Sequence, residues 1–320
     1  MIQALKIGNA AQQRAEITIL KTLAYFDIFD YPLTELEIKN FGGHFLDENE
    51  FRSVIRKLIF VKAIFRISEF YSLRDDLSMA KKRAEGNRRA QELIPRAIQI
   101  GAFLYKFPYI KAVAISGSLS KNYADAKADI DFFIIARSNR LWIARTFLHL
   151  FKKITFLYGR QHFYCMNYFI DEKALKIRDQ NIYSAMEVVT LLPAAGPDVL
   201  REFFRVNGWT KDWLPCYEPS YAMIGTQKNY QVKTWIENFF NHQRGDKLDN
   251  FLFKWTRRRW QKKESQGRRN LKGKIMNLVT GKHFSKSDPE AFQEKIVKMY
   301  QTKVDQLKDR YPEYFTDSAI

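Results

Sequence analysis

The chain has 320 residues, 46% hydrophobic and 15% aromatic, which is enough for two or three packed cores and excludes a disordered protein. A formal net charge of +18 favours polyanionic partners, whether nucleic acid, nucleotides or an acidic surface, without choosing among them. No apolar run has the length of a membrane span, the start of the chain lacks a signal-peptide pattern, and Cys165 and Cys216 form neither a disulfide framework nor a metal-ligand spacing. A cytoplasmic protein with reduced thiols and no membrane contact is expected.

Residues 14–75 predict a small helical module with a two-stranded tail. Ile17, Leu20, Leu23, Ala24 and Tyr25 recur at helical spacing, and Asp30-Tyr31-Pro32 stops that helix. Thr34 caps a short helix through Ile38, which Gly42-Gly43 ends. Asp47 and Glu50 form a capping box before a third helix, Glu48 to Phe60, with Phe51, Val54, Ile55 and Leu58 on one face. Short strands Ala63–Ile67 and Phe70–Leu73 follow. In element order the module is similar to a winged helix-turn-helix. That resemblance implies phosphate contacts from Arg52, Arg56 and Lys57. Asp47, Glu48 and Glu50 place negative charge where such a helix would enter a groove, so a packing role is the competing reading.

Leu77 to Lys106 predicts a long helical stretch interrupted at Gly86 and Pro95, with basic clusters Lys81-Lys82-Arg83 and Arg88-Arg89. An apolar strand, Ala112 to Ile115, then meets the small-residue turn Gly117-Ser118. Asp129-Ile130-Asp131 heads a second apolar strand, Phe132 to Ala136. Alternation along a strand sets both carboxylates on one face and turns Ile130 and Phe132 to the other. Two like charges so close call for a cation or a proton. Mg²⁺ suits one or two carboxylates plus substrate phosphates, and a Gly-Ser turn lets a backbone approach a phosphate.

The pattern of apolar strand, Gly-Ser, polar loop and Asp-apolar-Asp-apolar resembles the nucleotidyltransferase superfamily of the DNA polymerase beta type, over roughly residues 110–195. The resemblance implies that Gly117 and Ser118, with Ser120 and Lys121, hold a nucleoside triphosphate. It implies that Asp129 and Asp131 hold Mg²⁺ or Mn²⁺. It also implies a third carboxylate on the strand after the next helix, Asn139 to Leu157. That strand, His162 to Ile170, has no acid before Asp171 and carries Asn167 at its middle. An Asn carbonyl ligates a metal but is no base. Either Asn167 takes the third ligand position or it satisfies backbone groups. Glu187 on the following helix is either a substitute acid or a solvated residue.

Asn181 to Leu192 predicts a helix ended by Pro193, and Gly196-Pro197 opens a new unit. Beyond it the chain reads as mostly helical, over Val199–Val206, Tyr230–Asn241, Leu248–Glu264 and Pro289–Lys308, with a turn-rich stretch from Pro215 to Gln227. Lys254 to Lys274 holds ten Lys or Arg and one Glu, with Trp255 and Trp260 interleaved. Basic plus aromatic suits a nucleic-acid groove; an amphipathic helix with solvated charges is the other reading.

The expected architecture is α+β. A nucleotidyltransferase-fold mixed sheet with flanking helices (76–195) lies between a winged-helix-like domain (14–75) and a helical C-terminal domain (196–320). The expected activity is Mg²⁺-dependent transfer of a nucleoside monophosphate from an NTP to a small molecule, protein or RNA. The alternative is a catalytically reduced member of that fold that binds nucleic acid or regulates.

Overall fold

A computed structural model describes residues 2–42, 47–126, 128–156, 163–219, 230–269, 273 and 275–315. In chain order the first elements are α1 (Ile2–Asp27), β1 (Leu33–Thr34), α2 (Glu35–Gly42), α3 (Glu48–Phe60), β2 (Phe65–Ile67) and β3 (Phe70–Ser72). Helix α1 starts well before the expected Arg14. Helix α3 begins where its local chemistry dictates. The Asp47 carboxylate accepts from the N–H of Asn49 and Glu50, and Glu50 returns the bond to the Asp47 N–H. The three short strands form an antiparallel sheet in the order β1-β3-β2. Leu20, Leu23, Phe26, Ile38, Phe51, Val54 and Leu58 fill the core beneath.

Helix α4 (Leu77–Leu104) runs through both Gly86 and Pro95 without a break. Gly86 is a point of close approach rather than a stop, since a Cβ there would lie 2.2 Å from the Tyr123 ring. Arg83 on α4 is buried and ties the helix to the N-terminal module. Its guanidinium lies 3.8 Å from the Tyr31 ring centroid and pairs with Glu37.

The second sheet is mixed. It is built from β4 (Ile110–Ser116), β5 (Asp131–Ala136), β6 (Cys165–Asp171), β7 (Leu192–Ala195), β8 (Leu278–Gly281) and β9 (Phe284–Ser287), in the order β7-β4-β5-β6-β9-β8. Only β5 and β6 are parallel, joined by the crossover helix α5 (Leu141–Phe156). One sheet face buries Val113, Ile115, Phe132, Ile134 and Phe169 against α4 and α5. The other buries Ala112, Ala114, Phe133, Ile135 and Ile170 against α6 (Ile182–Val189) and α7 (Pro197–Val206).

The expected helix from Asn181 to Leu192 stops at Val189, and the chain turns into strand β7. Pro193 is tolerated there because β7 lies at the sheet edge. The region after residue 196 differs from the helical domain expected of it. It supplies α8 (Gln231–Phe239), α9 (His242–Ser265) and α10 (Phe292–Arg310), but also the β8–β9 hairpin. That hairpin extends the central sheet by pairing β9 with β6. Ile296 and Leu307 of α10 close the core of the N-terminal module. Among the described residues no helix is long and apolar enough to cross a membrane.

Candidate functional site

Strand β4 ends at Ser116, paired with Asp131 at the start of β5. Gly117 follows with a φ of +70°, a conformation that favours glycine, and leads into the short helical turn Leu119–Lys121. A Cβ on Gly117 would stand 2.7 Å from Asp131 Oδ2, so the turn lies directly against that carboxylate. Asp129 sits just ahead of β5 rather than inside it. The expected alternation nevertheless holds, with Asp129 and Asp131 half-buried and Ile130 and Phe132 buried. Lys127, in the loop before the pair, lies outside the described residues.

The turn is stapled from below. Ser120 is buried, and its hydroxyl donates to the Gly117 carbonyl at 2.8 Å. Ser120 was expected to face a nucleotide, yet its oxygen serves the turn itself. Ser118 is exposed at the outer side of the turn. Lys121 Nζ donates to the Gly117 carbonyl at 3.2 Å and to Glu187 Oε1 at 2.6 Å, which fastens the turn to α6. The Lys121 ammonium and the Glu187 carboxylate therefore neutralise each other. Tyr31 reaches over from the N-terminal module and donates its hydroxyl to the Lys121 carbonyl.

Asn167 reaches the site through an irregularity in β6. The β5–β6 register slips between Phe132, opposite Met166, and Phe133, opposite Tyr168, which leaves Asn167 as the extra residue of a bulge. Its amide Nδ2 donates to Asp131 Oδ1 at 2.5 Å, and its Oδ1 accepts the Cys165 thiol at 3.2 Å. Asn167 was expected either as an oxygen ligand to the metal or as an amide that satisfies backbone groups. With its carbonyl turned to Cys165, it is a hydrogen-bond donor that orients Asp131. Asp171, the acid at the end of the same strand, pairs in register with Ala136 and so lies at the far end of the sheet. It is fully buried and accepts from the Asn139 and Lys173 N–H groups and from His283.

The titration of neighbouring groups reports the same crowding of charge. Burial, then the Asp131 charge, pushes the Cys165 thiol up to about 12; Lys152 opposes the shift and Asp129 adds to it. Burial, then Glu187, Tyr25, Asp288 and Asp131, raise the Tyr183 phenol well above its ordinary range.

Among the described residues no three or more His, Cys, Asp or Glu side chains gather as a metal cage. The donor set is the Asp129–Asp131 pair, with Asp131 Oδ2 against the Gly117 turn and Oδ1 held by Asn167. Two carboxylates fit a hard cation that completes its shell with phosphate and water, not a closed structural site. Sequence reasoning missed the Lys121–Glu187 pair and the bulge, because neither has a local signal. No protein-family model matches the chain, and comparison with curated proteins and with solved structures finds no match.

Proposed function

We propose that the chain is a nucleotidyltransferase-fold enzyme that moves a nucleoside monophosphate from an NTP to an acceptor hydroxyl. The observation that carries the reading is the apposition of Gly117 and Asp131, with Asp129 two residues away, at one end of the mixed sheet. Asp129 and Asp131 would hold Mg²⁺, which supplies charge neutralisation for a triphosphate. Gly117 and Ser118 bring backbone and hydroxyl donors to the phosphates, and Asn167 keeps Asp131 aimed. In the reaction the acceptor oxygen bonds to the α-phosphorus as the bond to the β-phosphate oxygen breaks. Pyrophosphate leaves with the electron pair, and the hydroxyl proton passes to water beside the half-exposed carboxylates. Positioning and charge stabilisation supply most of the rate.

In this reading the N-terminal module is a winged-helix-like element used for packing. Two of its three α3 cations are paired within the module, Arg52 with Glu48 at 3.0 Å and Lys57 with Glu16 at 2.7 Å, while Arg56 is exposed. The Lys121–Glu187 pair favours a second reading, a catalytically reduced module, because it occupies the cation that would meet a phosphate.

Calorimetric titration with Mg²⁺ and each NTP, on wild type and Asp131→Ala, tests the proposal. Metal-dependent nucleotide binding that the substitution abolishes supports it. Binding that ignores both the metal and the substitution sinks it. Turnover to pyrophosphate separates the enzyme from the reduced module.

A further inference from the structure

Helix α9 carries a surface that the candidate site does not use. Its inner side packs on α5 and the sheet core through Leu248, Leu252 and Phe253, and Asp249 caps α5 by accepting from the Trp142 and Ile143 N–H groups at 2.8 and 3.0 Å. Its outer side is a single stripe at helical spacing: Arg244, Lys247, Phe251, Trp255, Arg258 and Lys262, all exposed. Phe251 and Trp255 stand 62% and 49% exposed, about one helical turn apart.

Some helix faces in this protein carry paired charges, as in Arg88–Glu92 and Arg89–Glu85 on α4 and Arg52–Glu48 on α3, while others expose unpaired cations such as Lys81 and Lys82 on α4. Among the described residues none of the four stripe cations pairs with an acid. The positive field continues along the seam with α5. Burial, then Arg259, Arg268, Arg145 and Lys153, lower the Lys263 ammonium below its ordinary value.

We propose that the outer face of α9 forms a track for a single-stranded polynucleotide. Arg244, Lys247, Arg258 and Lys262 meet phosphates, and Phe251 and Trp255 stack on bases. Single strands are favoured over duplex because exposed rings need free base faces. An anionic membrane is disfavoured because the apolar side of α9 is already spent on the protein core, leaving only two rings among cations. This proposal stands apart from nucleotidyl transfer and needs neither metal nor NTP.

The test is fluorescence anisotropy of the full chain with a labelled oligouridylate of about 20 nucleotides in a chelator, over a salt series from about 50 mM. A duplex of equal length and phosphatidylserine vesicles serve as comparators. The Arg258→Glu/Lys262→Glu double variant should weaken binding about tenfold or more and flatten the salt dependence. Trp255→Ala should weaken it about fivefold with the salt slope unchanged. Lys295→Glu/Lys298→Glu on α10 removes the same charge elsewhere and should leave affinity within about twofold. Absence of binding at low salt overturns the proposal. Equal losses in the two double variants, or preference for duplex or vesicles over the single strand, also overturn it.

Discussion

Gly117 and Asp131 meet so closely that one added methyl group on the glycine would press on the aspartate carboxylate, at 2.7 Å from Oδ2. Glycine is required twice here, for its φ of +70° and for the space. Gly117→Ala should cost about 1–3 kcal/mol in stability. It should also turn the Asp131 carboxylate away, so that Mg²⁺-dependent nucleotide binding falls further than the stability loss explains. Ser118→Ala is the control: exposed, it should change stability by no more than about 0.5 kcal/mol while weakening nucleotide binding. Thermal melts and calorimetry on both variants check the pair.

Asn167 donates to Asp131, so Asn167→Asp replaces a hydrogen bond with a like charge. Without divalent metal the variant should lose about 1–3 kcal/mol. Added Mg²⁺ should recover most of that loss and raise the melting temperature of the variant more than that of wild type. Melting curves with and without Mg²⁺ decide; a variant indifferent to the metal would argue against a shared cation.

Lys121 bridges the Gly117 carbonyl and Glu187. Lys121→Met leaves the Glu187 carboxylate without its donor and the Gly117 carbonyl with the Ser120 hydroxyl alone, and should destabilise by about 1–3 kcal/mol. Glu187→Gln should cost less, because the Gly117 carbonyl remains to the ammonium. The two changes should be non-additive, with a coupling of about 0.5–3 kcal/mol in a denaturant-based double-mutant cycle. Additive losses would show that the two side chains act independently.

Asp249 offers a pH signature. Burial raises its carboxyl to about 6 from an ordinary 3.8, with Asp171 adding and the two capped N–H groups and Arg140 opposing. The folded state holds this proton more tightly than the unfolded chain. Its stabilising contribution is therefore full below the unfolded value and is lost as pH rises through the folded value. Asp249→Asn keeps an oxygen for the Trp142 and Ile143 N–H groups and removes the buried charge. The melting temperature of the variant relative to wild type should rise between about pH 4 and pH 7. A difference independent of pH would refute the assignment.

Much of the fold was legible where the signal is local. The Asp47–Glu50 box started α3 where expected, and the apolar stretches around Gly117 gave β4 and β5. Other elements were misread because tertiary packing overrode local cues. Gly86 and Pro95 look like interruptions, yet α4 continues, since Gly86 makes room for Tyr123. The β8–β9 hairpin was missed although Val279-Thr280-Gly281 carries β-branched residues beside a turn signal. Its partner strand, β6, lies more than 100 residues earlier, and no short-range pattern announces the pairing.

For the site, the sequence by itself determined the chemical groups: a glycine turn and two aspartates on one face of a strand entrance. Those follow from spacing and from the period of two along an extended backbone. Only the tertiary structure decided what surrounds them. It turned the Asn167 carbonyl to Cys165, drew the Ser120 hydroxyl under the turn, and matched Lys121 with Glu187. These partners come from β6 and α6, and which of them meet depends on a bulge and on long-range packing. Local periodicity sets the face on which a side chain emerges, while the close packing of distant elements sets what it meets.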